Sequence, residues 1–289
     1  MSSQLKDLLA PDGTKEEGGT NRRAFLQRAT LAGAVGAAGL GTLMALASPK
    51  AHGSGLVGHD EGEWDDSKKR DRNILIAAEI AEALAVTTYS NIIDTAPFFN
   101  RLPSDDQGYL IAARQEEMCH YLLEQSVTDE PSPFSSFFYP KGMFKDAQTT
   151  LNVLVTLEDA FIAAYLVGVR HFSTPDLRVT AARIMGIESD HRTLARVLAS
   201  DVAPQDGGPI EKITGAQGVA ESADPPNNNG YERTLCWAHI DQAVAALTPF
   251  ADMTAAKAAG FDVSKSFGFS SFTPQLPNPL GDFISFKGC

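Results

Sequence analysis

Two four-residue motifs stand out for the chemistry their side chains allow. They are Glu117-Met118-Cys119-His120 and Glu188-Ser189-Asp190-His191. In each, Glu and His are three apart, so on a helix they share one face about a turn apart. One such motif is commonplace on a surface. Two of them, each preceded by a glutamate set in apolar sequence, call for an explanation. Glu82 lies in IAAEIAEALAV and Glu158 in VLVTLEDAFIAAY. A carboxylate on a core-facing stripe is costly unless it is paired or ligated. Tyr89 and Tyr165 follow these glutamates by seven residues, nearly two helical turns, and so share their stripe. The order Glu, Tyr, Glu-x-x-His thus occurs twice, as an internal duplication would leave it. Four glutamates and two histidines form the donor set of a dinuclear iron or manganese carboxylate centre.

The elements that must position these residues are helices. Apolar residues recur at helical spacing from Asp71 to about Thr95, with Asp71 as the expected N-cap and Pro97 as the stop. A second helix is expected from Ser104, its cap, to about Val127. A third runs from Asp146 to about Phe172, and Thr174-Pro175 opens a fourth that reaches about Val202. No strand-period segment is evident between 71 and 202. The short turns make two antiparallel hairpins. The connection between them holds Pro131, Pro133, Pro140, Phe134, Phe137, Phe138 and Tyr139, and it is long enough to travel the length of a bundle. Glu82 and Glu117 each lie about fifteen residues from the first turn, and Glu158 and Glu188 about fifteen from the second, so each pair meets at one level at ~1.5 Å per residue.

At these residues the sequence resembles the ferritin-like superfamily. It looks closest to exported bacterial ferritin-like domain proteins of the desiccation-related type, with a more distant likeness to rubrerythrins. The resemblance covers about 71–202. It implies an all-α, ferritin-like four-helix bundle with two Fe or Mn ions as cofactors. It also implies Glu82, Glu117, His120, Glu158, Glu188 and His191 as metal ligands, with Glu117 and Glu188 bridging, and Tyr89 and Tyr165 as the hydrogen-bonding partners behind them. Glu79, one turn before Glu82, is the rival to that ligand. The adjacent acids Glu116, Asp159 and Asp190 are expected to point away from the centre. Cys119, between two ligands, reads as a buried thiol. His171 closes the third helix, where a cation is favoured, and both it and His239 read as structural.

The remaining segments frame the bundle. Asn21-Arg22-Arg23-Ala24-Phe25-Leu26-Gln27, followed by the Ala/Gly-rich run Ala29 to Ala47, resembles a twin-arginine export signal, with Ala45-Leu46-Ala47 as a cleavage site. A retained membrane anchor is the alternative. Export through the twin-arginine machinery to the periplasm or beyond would suit a folded protein that already holds metal. Residues 48–70 read as a flexible polar linker, with His52 and His59 as solvated histidines. The extension 203–289 is expected to hold a helix from about Gly230 to Leu247, disturbed at Pro249, and then an irregular arm with Phe261, Phe267, Phe269, Phe272, Phe283 and Phe286. That arm is expected to wrap its own bundle. A subunit interface in a homo-oligomer is the alternative.

Composition narrows the function. The 289-residue chain carries 36 acidic against 24 basic residues, a formal charge of −12. Removing 1–47 takes five basic and four acidic residues with it and leaves −13. An acid excess argues against nucleic acid as a partner. Three cysteines with no CxxC exclude a disulfide scaffold and a rubredoxin-like module. The expected function is redox chemistry on a small-molecule oxidant or metal ion: peroxide, dioxygen or ferrous iron, through ferroxidase, peroxidase or manganese-catalase reactions. The alternatives are a non-enzymatic metal-binding or stress-protective protein, and a bundle that has lost its metal.

Overall fold

The computed structural model describes residues 64–201 and 235–275. The export signal, its cleavage site, most of the linker, the loop after 201, and Phe283 and Phe286 lie outside the described residues. Four long helices dominate: α1 (Trp64–Thr95), α2 (Ser104–Thr128), α3 (Ala147–His171) and α4 (Pro175–Asp201). Two short helices follow, α5 (Ile240–Ala251) and α6 (Met253–Ala258).

The first helix starts earlier than its sequence pattern indicates. It includes Trp64 to Arg70, read above as the end of a linker. That stretch holds no Gly or Pro to stop a helix. Asp71 does not cap it. Its carboxylate is buried within α1 and accepts hydrogen bonds from the backbone N–H of Ser173, at 3.0 Å, and from the Ser173 hydroxyl. Ser104 is likewise no cap but the first residue of α2, with Pro103 in the cap position. Two other starts follow local rules. Asp146 accepts from Thr149 N at 2.7 Å, and Thr174 Oγ1 accepts from Leu177 N at 3.3 Å.

Side-chain contacts fix how the helices run. Asp71 meets Ser173, Glu82 meets Tyr165 and Tyr89 meets Glu158, so α1 and α3 are antiparallel neighbours. Glu117 meets His191 and His120 meets Glu188, so α2 and α4 are antiparallel as well. The turn of the second hairpin therefore sits beside the start of α1, at the opposite end from the turn of the first. The crossover between α2 and α3 must run the length of the bundle. Helix α3 is apolar enough to cross a membrane by length and composition, with a mean hydropathy of 1.6 over its best window. Of that window, 78% is buried by its neighbours. Gly168 on α3 allows a close approach: a Cβ there would stand 2.7 Å from Cε2 of Phe172 and 3.2 Å from the Ala181 Cβ.

The crossover is where the structure departs most from the sequence reading. Ser136–Pro140 forms a strand, β1, paired antiparallel with β2, Phe261–Gly268. Phe137 faces Phe267 and Pro140 faces Phe261, with an irregularity between Phe137 and Tyr139. The segment 261–268 is thus a strand, not an irregular arm. The pairing was hidden because β1 is short and its partner lies near the other end of the chain. Tyr139 anchors the sheet, packed edge-on against Phe144, Phe250 and Phe267, with its hydroxyl 3.0 Å from Thr88 Oγ1 on α1. Past β2 the chain runs along α2. Arg114 lies over the Phe272 ring, and Gln275 N donates to Gln115 Oε1 at 2.7 Å. The described aromatics of the tail wrap their own bundle. Helix α5 continues through Pro249 to Ala251.

Candidate metal centre

The six side chains singled out by spacing come together midway along the bundle. Glu82, Glu117, His120, Glu158, Glu188 and His191 are all buried, none exposed by more than 5%. They fall into two overlapping groups whose nitrogen and carboxylate oxygen atoms lie within 4.8 Å of one another. One is Glu82, Glu117, His120 and Glu188. The other is Glu117, Glu158, Glu188 and His191. Glu117 and Glu188 belong to both.

The geometry is close to twofold symmetric. His120 Nδ1 lies 3.3 Å from Glu117 Oε2, 3.1 Å from Glu188 Oε1 and 3.6 Å from Glu82 Oε2. His191 Nδ1 lies 3.0 Å from Glu117 Oε1 and 3.5 Å from Glu188 Oε2. Both rings thus aim Nδ1 at the shared carboxylates. The tyrosines cross between hairpins. Tyr89 on α1 donates to Glu158 Oε1 on α3 at 2.7 Å, and Tyr165 on α3 donates to Glu82 on α1. Each tyrosine shares a helical stripe with one glutamate and serves the other.

The electrostatics follow from enclosing four carboxylates with two imidazoles. Burial, then the charges of Glu117 and Glu188, push Glu82 and Glu158 well above the usual carboxylate range. Burial would raise Glu117 too, but His191 and His120 hold it well below that range. Burial opposes charge on the imidazoles, yet Glu82 around His120 and Glu117 around His191 raise both well above the ordinary histidine value. Several oxygens still lack a hydrogen bond: Glu158 Oε2 and both oxygens of Glu188. The His120 and His191 nitrogens lie near Glu188 but outside hydrogen-bonding geometry. Orphaned carboxylate oxygens in a dry interior are costly. Oxygen and imidazole donors at this spacing suit divalent cations such as Fe²⁺ or Mn²⁺. The residues present therefore fit a pair of metal ions.

Glu79, the rival to Glu82, stands apart from both groups. It is buried and accepts from Thr128 Oγ1 at 2.6 Å. Asp159 points off the centre, as expected, and pairs with Arg192 Nη1 at 2.7 Å. Asp190 is exposed. Glu116 corrects its expectation: it does not point away but meets His191 Nε2 at 2.8 Å. A carboxylate on the outer nitrogen holds the ring with its inner nitrogen toward the centre. Glu124 was missed altogether. It is buried, its Oε1 lies 2.7 Å from the Tyr165 hydroxyl oxygen, and its Oε2 has no partner. It follows Glu117 by seven residues, so the spacing that singled out the tyrosines, applied to α2, would have found it. Glu116 carried no such signal, because its partner comes from another helix.

At the end of α3, burial works against the charge that the helix terminus would favour on His171. Burial lowers its basicity, its Nε2 lies 2.7 Å from Ala238 O, and its ring stacks on His239. Cys119 is buried and Cys236 exposed, both as free thiols. No curated protein matches the chain. Residues 70–201 match the family model described as a ferritin-like domain, just under half of the chain, and the helices of that segment form the ferritin-like four-helix bundle that such a match implies.

Proposed function

We propose that this protein holds a dinuclear iron or manganese centre and uses it for redox chemistry after export. The observation that carries the reading is the overlap of the two side-chain groups at Glu117 and Glu188. Two carboxylates common to both groups are what a bridged pair of cations requires. Glu82 and His120 would complete one half, and Glu158 and His191 the other.

When bound, the metal pair would supply electron transfer with peroxide, dioxygen or ferrous iron. The chain's own part is arrangement. Tyr165 and Tyr89 hold the Glu82 and Glu158 carboxylates from behind. Glu116 fixes the His191 ring. Apolar side chains from all four helices exclude water and strengthen every charge interaction inside. The twin-arginine resemblance of residues 21–47 supports export of a folded, metal-loaded chain.

Enclosure of all six side chains favours a second reading, in which metal stabilises a stress-protective bundle without turnover. The test is metal analysis of the full chain recovered from its native export route, followed by addition of peroxide and dioxygen. About two Fe or Mn per chain with turnover supports the enzyme. Bound metal without turnover supports the protective role, and absence of metal rejects both.

A further inference from the structure

A cavity of about 30 Å³ opens between the four bundle helices at the end where the second hairpin turns. Its walls include Ile74 and Ala78 from α1, Leu123 and Val127 from α2, Ala164 from α3 and Ile184 from α4. At its inner end stand Tyr165 and Glu124. Leu123, Thr180 and Ile240 on its lining are only half-buried, so among the described residues it gives onto the surface. Tyr165 also bonds Glu82, so the cavity stops one side chain short of the candidate metal centre.

We propose that this cavity is the binding and entry site for dioxygen. The inference deepens the proposed redox function by choosing among its three candidate reactants. Size is the first argument. One water needs roughly 10–15 Å³ on this measure, so the space takes a molecule of two heavy atoms and not an organic substrate. Polarity is the second. Thr180 and Tyr165 have their hydroxyls engaged, Thr180 with Asp176 O and Tyr165 with Glu82 and Glu124. That leaves Glu124 Oε2 as the one unpartnered polar side-chain atom among the described lining residues. A ferrous ion would exchange a shell of coordinated water for a single carboxylate, and a peroxide would shed several hydrogen bonds to water and recover at most one. Dioxygen, apolar and diatomic, loses nothing by entering. The third argument is the opposite end of the bundle. Seven residues beyond Glu188 stands Ala195, fully buried in the main core, where α2 has Glu124. The second hairpin keeps its ligands but has no carboxylate at the position that Glu124 holds in the first.

The test uses the full chain, metal-loaded, in two arms. Crystals pressurised with krypton, an apolar probe atom, are expected to show an anomalous peak between Ala78, Val127 and Ile184. In Ala78→Leu the peak is expected to vanish. In solution the same variant is expected to keep its metal, react severalfold more slowly with dioxygen, and react with peroxide at the wild-type rate. A wild-type cavity without krypton overturns the proposal, and so does an equal loss of rate with both oxidants. The krypton arm needs no redox activity, so a chain that binds no metal would sink the proposed function and leave the cavity to be judged by that arm. Ala78→Val, smaller by one methyl group, serves if the leucine variant does not fold.

Discussion

The two halves of the candidate centre carry the same ligand types, each with a tyrosine behind its glutamate, and differ in what lies beyond. Beside Glu82 and His120, Tyr165 reaches on to Glu124, and Glu79 and Thr128 lie near on the same pair of helices. The cavity opens there. Beside Glu158 and His191, Tyr89 ends at Glu158, Glu116 holds His191 from the outer side, and Ala195 is buried in the core. The position matching Glu116 in the second motif is Ile187, and the one matching Glu124 is Ala195. The lesson is that the ligand set is constrained by helical spacing, whereas the flanking residues are free to diverge. Divergence at the flanks decides what reaches each half and how firmly each half is held.

The largest effect should come from the two shared carboxylates. Glu117→Ala and Glu188→Ala are each expected to abolish binding at both halves, read as loss of nearly all Fe or Mn by elemental analysis. His120→Ala and His191→Ala should split the halves, each leaving about one ion per chain where the wild type holds about two. If either histidine variant loses both ions, the halves are not separable and the comparison fails.

A smaller and one-sided effect is expected from Glu116→Gln. It should weaken metal binding about 10–100-fold at the His191 half and leave the His120 half untouched. Competition with a chelator would resolve the two. Equal weakening at both halves would show that Glu116 acts through the shared carboxylates instead.

Protonation offers a further comparison, between the loaded and empty states. In the empty protein Glu82, Glu158, His120 and His191 all have their pKa values raised. A raised folded-state value contributes stability below the unfolded pKa, and that stability is lost as pH rises through the folded value. Depressed Glu117 works the other way, but alone against four. The empty protein should therefore lose stability as pH rises above 4.5, through the two glutamates, and lose more above 6.5, through the two histidines, whereas bound metal replaces those protons. The gain in Tm on metal loading is expected to grow with pH, and a gain that shrinks would contradict this.

The smallest effects lie outside the centre, at the end of the bundle that holds the cavity. Gly168→Ala drives a methyl group into the Phe172 ring and should cost about 1–3 kcal/mol of stability. Asp71→Ala removes the charged acceptor of the Ser173 N–H and hydroxyl and should cost about 1–3 kcal/mol. Urea denaturation of each variant measures both.

The bundle and the six-residue cluster were legible because helices convert spacing into geometry. Glu and His three apart, and Glu and Tyr seven apart, must share a face whatever else the chain does. What was not legible depends on contacts between elements distant in sequence. Asp71 looked like a cap until Ser173 met it across the bundle. Glu116 looked like a solvated acid until α4 brought His191 to it. The β1–β2 pairing joins the crossover to the tail, and neither strand shows its partner. His171 at a helix end suggested a favoured charge, but the contacts with Ala238 and His239 that work against it come from the tail.

The account rests on two cations sharing Glu117 and Glu188. Anomalous diffraction from crystals of the iron- or manganese-loaded full chain tests this most directly. Two peaks are predicted, both in contact with Glu117 and Glu188, one beside Glu82 and His120 and the other beside Glu158 and His191. A single peak, or metal bound only at sites away from these two glutamates, would contradict it.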